Sequence, residues 1–124
     1  MRQVLFSVAL GFGLISGLAT AQAADPAAGE KVFALCRTCH TLEAGKNRVG
    51  PSLHGLFGRK SGSIEGFAYS PAMKNADITW DETTLDKYLT DPKALVVGNK
   101  MAFAGVKKDE DRQNLIAYLK GATQ

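Results

Sequence analysis

Cys36-Arg37-Thr38-Cys39-His40 places two thiols two residues apart, with an imidazole directly behind the second. Two thiols on one helical turn can add to the two vinyl groups along one edge of a porphyrin. The adjacent imidazole then projects at the iron from the same side, so C-x-x-C-H reads as an attachment sequence for one covalent haem. Two other readings of the cysteine pair are weaker. A thioredoxin-like redox pair belongs in a strand–helix–strand setting, and nothing in this chain alternates convincingly as a strand. Structural zinc would need two more ligands, and the only histidines, His40 and His54, lack the finger spacing.

Working outward, Asp25-Pro26 opens a helix, with Asp at the N-cap and Pro at the first helical position, and it runs into the cysteine motif. Residues 41–66 are glycine-rich, which predicts a long ordered loop of the kind that wraps something. Ser70-Pro71 starts a short helix. Residues 81–90 read as a helix with Leu85, Tyr88 and Leu89 on one face, stopped by Pro92 and followed by a brief helical turn to Val96. Residues 98–105 read as loop. The last helix is expected over residues 109–120, with Asp109-Glu110-Asp111 at the positive end of its dipole and Gly121 ending it. The expectation is an all-α fold of short helices and long loops, with too little aliphatic core to explain its own order. A large apolar ligand at the centre would supply what is missing.

The first 23 residues read differently. Arg2 is followed by an apolar run over residues 4–19 and then by Thr20-Ala21-Gln22-Ala23, the small residues of an A-x-A cleavage site. That is the grammar of a secretory leader, expected to be removed after Ala23 to leave a single domain over residues 24–124. The run is shorter than the ~20 apolar residues a spanning helix needs and is diluted by glycine. Export places the cysteines in an oxidising compartment, yet a disulfide between them would close a tiny loop that constrains little.

Of the 124 residues, 15 are basic and 12 acidic, a formal charge of +3 that hides an uneven distribution. Lys31, Arg37, Lys46, Arg48, Arg59 and Lys60 face Glu43 alone over residues 31–60, and residues 92–108 carry four lysines and no acid. The pattern predicts a dipolar surface with a basic face. Nucleic acid is not expected as a partner, because no arginine-rich run or aromatic–basic interleaving is present.

Haem iron bound by one histidine has a sixth position, and its occupant decides function. The candidates are His54, Met73 and Met101. Met101 has the best context, a loop flanked by Gly98 and Gly105 that can fold over the far face. Met73 suits core packing, and His54 lies too near His40 in sequence and suits a structural hydrogen bond.

Further stretches carry a resemblance: Gly29-Glu30-Lys31-Val32-Phe33, Gly50-Pro51-Ser52-Leu53-His54-Gly55-Leu56-Phe57-Gly58-Arg59-Lys60, Ile78-Thr79-Trp80, Lys100-Met101-Ala102-Phe103-Ala104-Gly105 and Leu115-Ile116-Ala117-Tyr118-Leu119-Lys120. Together with the cysteine motif, and in this order, they resemble the class I cytochromes c, the mitochondrial protein and the small bacterial cytochromes of respiration and photosynthesis. The resemblance implies the cytochrome c fold around one haem c, with His40 as proximal and Met101 as distal ligand. It implies that the Pro51 carbonyl accepts from His40, that Arg59, Tyr69 and Trp80 hold the propionates, and that Tyr88 approaches the Met101 sulfur. It also implies that Gly29 and Phe33 pack against Leu115 and Tyr118. Departures are a shorter loop between His40 and Gly50, Met73 in place of a common Asn, Val97 in place of a common Pro, and Asn99 in place of a common Thr. The loop bearing Met101 is therefore expected to differ in rigidity.

By resemblance the chain is expected to be a soluble, monomeric, periplasmic one-electron carrier rather than an enzyme. It would shuttle between a quinol-oxidising cytochrome complex and a terminal oxidase or photosynthetic reaction centre. Lys31, Lys93, Lys100, Lys107 and Lys108 would ring the electron exit and dock these membrane redox complexes transiently. The alternative from a different class is a haem enzyme or ligand-binding cytochrome with a labile Met101.

Overall fold

A computed structural model describes residues 8–14, 17 and 23–124. The leader expected over residues 1–23 lies largely outside the described residues. Of its described members, Val8, Leu10, Phe12 and Leu14 are almost fully exposed.

Among the described residues five helices follow in chain order: α1 (Pro26–Arg37), α2 (Pro71–Asn75), α3 (Glu82–Thr90), α4 (Pro92–Leu95) and α5 (Asp109–Ala122). Among the described residues the only extended pairing is an isolated bridge between Lys60 and Thr79, so the chain is all-α as expected. Four of the five starts are set by local chemistry. Asp25, Ser70, Asp81 and Asp91 each accept a backbone N–H of the first turn, and Pro26, Pro71 and Pro92 stand where a missing N–H costs nothing. At α3 the cap is reciprocal: Thr84 N–H donates to Asp81 Oδ1 (2.8 Å) and Asp81 N–H to Thr84 Oγ1 (2.9 Å).

α1 and α5 pack directly on one another. A Cβ on Gly29 would fall 1.9 Å from the Asn114 carbonyl oxygen, so only glycine lets the backbones approach this closely. Phe33 is buried beside it, its ring centroid 5.3 Å from that of Tyr118. α3 is joined to α5 through Arg112, which is 8% exposed. Its Nε donates to Asp86 Oδ1 (2.5 Å), its Nη2 to Asp109 Oδ1 (2.8 Å) and its Nη1 to the Val106 carbonyl (3.0 Å). A buried guanidinium is tolerable when it is paired in this way. Nothing in the sequence pattern sets Arg112 apart from surface arginines.

The end of α5 differs from expectation. Gly121 does not stop the helix, which continues to Ala122. Thr123 donates from Oγ1 (2.7 Å) and from N (3.0 Å) to the Leu119 carbonyl, and its own carbonyl accepts Gly55 N–H. Those bonds outweigh the ~1 kcal/mol by which glycine disfavours a helix interior, so the last turn is held by the 41–66 loop rather than ended by composition.

Candidate haem-binding site

An apolar cleft of about 280 Å³ runs into the core, lined by α1, the 41–66 loop, α3, the 98–105 loop and α5. Leu53, Leu56, Leu85, Leu89 and Leu115 are among the apolar residues of its wall.

Cys36 lies in the last turn of α1, and the N–H groups of Cys39 and His40 both donate to its carbonyl (3.1 and 2.9 Å). The helix thus tightens into a turn that brings both sulfurs and the imidazole to the cleft. Burial, then the neighbouring Cys39, pushes the Cys36 thiol up to about 11. A free thiol here is protonated at neutral pH and is a poor redox nucleophile. Among the described residues no three of His, Cys, Asp and Glu gather as a metal cage.

His40 Nδ1 lies 2.7 Å from the Pro51 carbonyl oxygen. Only Nδ1–H can satisfy that contact, and this fixes the tautomer and leaves Nε2 as the basic atom. Burial holds the imidazole below its ordinary pKa, and Arg59 adds to this, against the opposing pull of the Pro51 bond. The ring is therefore neutral at pH 7, the form that ligates metal. Gly50 packs against its face: a Cβ there would fall 2.4 Å from Cε1.

Met101 is half-buried at the cleft, and the Tyr88 hydroxyl donates to its sulfur at 3.8 Å. Burial pushes the Tyr88 phenol up to about 12, so it remains a donor. Met73 lines the same cleft from α2 without such a donor. His54 is exposed, and the hydrogen bond at this residue is made by its backbone N–H to Ser52 Oγ (3.2 Å). The structural hydrogen bond expected of its side chain is not made, because the loop turns the residue outward.

Arg59, Tyr69 and Trp80 also line the cleft. The Trp80 N–H donates to the Arg59 carbonyl (2.9 Å), which sets these two residues side by side. Arg59 Nη1 donates to the Ser52 carbonyl (2.8 Å), and burial lowers the guanidinium pKa while Tyr69 opposes that shift. The Tyr69 hydroxyl accepts Ile64 N–H (3.1 Å). Around the mouth, Lys100 Nζ donates to the Ala68 carbonyl and lies 5.3 Å from the Phe67 ring centroid. Lys107 Nζ donates to the Thr90 carbonyl (2.8 Å) and lies 3.9 Å from Asp91 Oδ2. Lys31, Lys93 and Lys108 enter no ion pair among the described residues. Sequence reasoning misses the side-chain bonding of Lys100 and Lys107, which depends on where loops fold back.

Paired thiols and an imidazole at the end of a helix, facing an apolar cleft in an all-α fold, define a protein that holds haem through its own chain. Similarity to known proteins narrows this further. The cytochrome c family model matches residues 26–123. Cytochrome c2 of Blastochloris viridis is 52% identical over 121 residues, 97% of this chain and 93% of that protein. Cytochrome c of Chlamydomonas reinhardtii is 55% identical over 111 residues, 88% of this chain and 99% of that one. Cytochrome c-550 of Nitrobacter winogradskyi is 53% identical over 96 residues, 77% of this chain and 88% of that protein. The chain belongs to the cytochrome c family. It is an electron carrier with one covalent haem c and not an enzyme.

Proposed function

We propose that this chain is exported, loses its leader after Ala23, and carries single electrons in the periplasm with His40 and Met101 as the axial ligands. The carrying observation is that both residues line one apolar cleft, each with a polar group fixed on it: the Pro51 carbonyl on Nδ1 (2.7 Å) and the Tyr88 hydroxyl on the sulfur (3.8 Å). Bound haem supplies a one-electron iron couple. His40 presents Nε2 in the neutral form, while Met101 offers a soft thioether that favours reduced iron. The apolar wall disfavours the extra charge of the oxidised state, and Arg59 brings positive charge to where carboxylates would be buried. Two protein ligands leave no position for a substrate, which supports a carrier over a ligand-binding role.

The leader reading is supported by Val8, Leu10, Phe12 and Leu14, apolar side chains left almost fully exposed. Among the described residues no helix is long and apolar enough to cross a membrane. The partners we propose are a quinol-oxidising cytochrome complex and a terminal oxidase or photosynthetic reaction centre, met through the basic face. Lys31, Lys93 and Lys108 are its freest charges.

The test is a pair of substitutions. Met101→Ala should abolish the sulfur-to-iron absorption band of the oxidised protein, lower the potential and admit carbon monoxide on reduction. Met73→Ala should leave all three unchanged, and the reverse result would overturn the assignment. Intact mass should give a chain starting at Ala24 plus one haem. A precursor-length chain in the membrane fraction would argue for an anchor.

A further inference from the structure

We infer that Asn99 is a positioning residue that clamps the 98–105 loop and so fixes the Met101 sulfur at the iron. This rests on the reading of Met101 as a ligand. Asn99 is 6% exposed, and a buried amide is costly unless its hydrogen-bonding groups are met. Here they are met by a specific pattern. Nδ2 donates to the carbonyls of Pro92 and Val96, both at 2.9 Å. Oδ1 accepts the N–H of Met101, also at 2.9 Å. Exchanging oxygen and nitrogen would set an acceptor against two carbonyls and a donor against an N–H, so the orientation is unique.

The two carbonyls belong to the first residue of α4 and to its C-cap. The clamp therefore joins both ends of α4, whose two carbonyls also accept the backbone N–H groups of Val96 and Asn99 (3.1 Å each), to the backbone of Met101 itself. The loop needs such a clamp. Gly98 sits at φ 90° and Gly105 at φ 106°, so both ends are conformationally permissive. A ligand on a loop is lost whenever the loop opens, and the apparent strength of the bond falls with the fraction of time it is closed. No other side chain of similar size replaces asparagine. A hydroxyl has one hydrogen for two carbonyls, and aspartate keeps the acceptor for Met101 but turns a carboxylate toward both carbonyls.

The test uses ferric holoprotein with imidazole as the competing ligand, and hydrogen exchange at the Met101 amide. Asn99→Asp, which loses two modest hydrogen bonds, should bind imidazole about tenfold more tightly, and Asn99→Ala, which loses three, at least as tightly as that. Asn99→Ala should also speed exchange at the Met101 amide while leaving the Phe33 amide of α1 protected. Asn99→Asp should keep more of that protection, because its acceptor remains. Unchanged imidazole affinity in both variants would overturn the inference, as would equal acceleration at Met101 and Phe33, which would mean general loosening. Failure of the ligand reading shows separately, as absence of the sulfur-to-iron band in the unsubstituted protein.

Discussion

His40 and Met101 reach the same cleft from segments of opposite character. Everything that fixes His40 lies close to it in sequence. Gly50 N–H donates to the Cys39 carbonyl (2.8 Å), Arg48 Nη1 to the Arg37 carbonyl (3.1 Å), and the Pro51 carbonyl and Gly50 backbone grip the ring. Met101 is held by contributions from several elements: Tyr88 of α3, the Pro92 and Val96 carbonyls at the two ends of α4 through Asn99, and Lys100 reaching the Ala68 carbonyl. One proposed ligand is held by a single contiguous stretch and the other by several elements of the fold. Attachment can therefore be robust while the strength of the sulfur contact stays tunable from several places.

The largest expected effect lies on the local side. Gly50→Ala puts a methyl where the His40 ring stands, and neither Pro51 nor the turn after α1 can retreat. Overpacking of this kind costs roughly 1–3 kcal/mol, and the melting temperature should fall by about 4–8 °C for each kcal/mol. Thermal melting followed by circular dichroism measures it. An unchanged midpoint would mean that the histidine side is softer than its contacts indicate and that the contrast with Met101 is false.

Tyr88→Phe should act on the distributed side alone and more gently. With Met101 as the proposed ligand, removing the donor would let its sulfur give more electron density to oxidised iron. The potential should drop by tens of millivolts, in line with part of one hydrogen bond of about 1 kcal/mol. With the phenol raised to about 12 by burial, its proton stays in place as pH rises through neutrality, and the shift between the two proteins should be constant from pH 6 to about 9. Redox titration across that range decides it. A gap that closes with pH would show that something else supplies the effect.

Charge reversal at Lys93 or Lys108 should disturb neither ligand and leave potential and melting unchanged. It should slow bimolecular oxidation by an acidic partner, and the slowing should shrink in high salt as the screening length falls below about 8 Å. Lys120, already paired with Glu82 (2.5 Å), is the comparison site and should show less. Equal slowing at all three would remove the docking face. Lys100 and Lys107 are poorer probes than their charge alone indicates, because reversing either also breaks a hydrogen bond to a backbone carbonyl.

Legibility in the sequence runs along the same divide. The caps at Asp25, Ser70 and Asp81 are readable because a cap involves residues two or three apart. The cysteine motif and its histidine are readable because five consecutive residues carry the chemistry. The far end of α5 is not, because Thr123 bonds the 41–66 loop, a relation no local signal contains. Asn99 stands out in the sequence only as a departure bearing on rigidity. The reason lies in the Pro92 and Val96 carbonyls, seven and three residues away, which meet its amide only once α4 and the turn after it have formed. Arg112 gives no signal at all, since its partners Asp86 and Val106 converge only in the folded state.

α1 and α5 are the first and last helices among the described residues, and each completes the other. Asp25 N–H donates to Asn114 Oδ1 (2.8 Å) across 89 positions, and Gly29 rests on the Asn114 carbonyl. A chain delivered from its N-terminus must therefore present the cysteine-bearing helix with Phe33 uncovered until α5 arrives. Contacts so distant in sequence are slow to close. The order of delivery thus opens an interval in which the thiols of Cys36 and Cys39 are on a helix not yet locked by its partner, and it is the arrival of α5 that ends that interval.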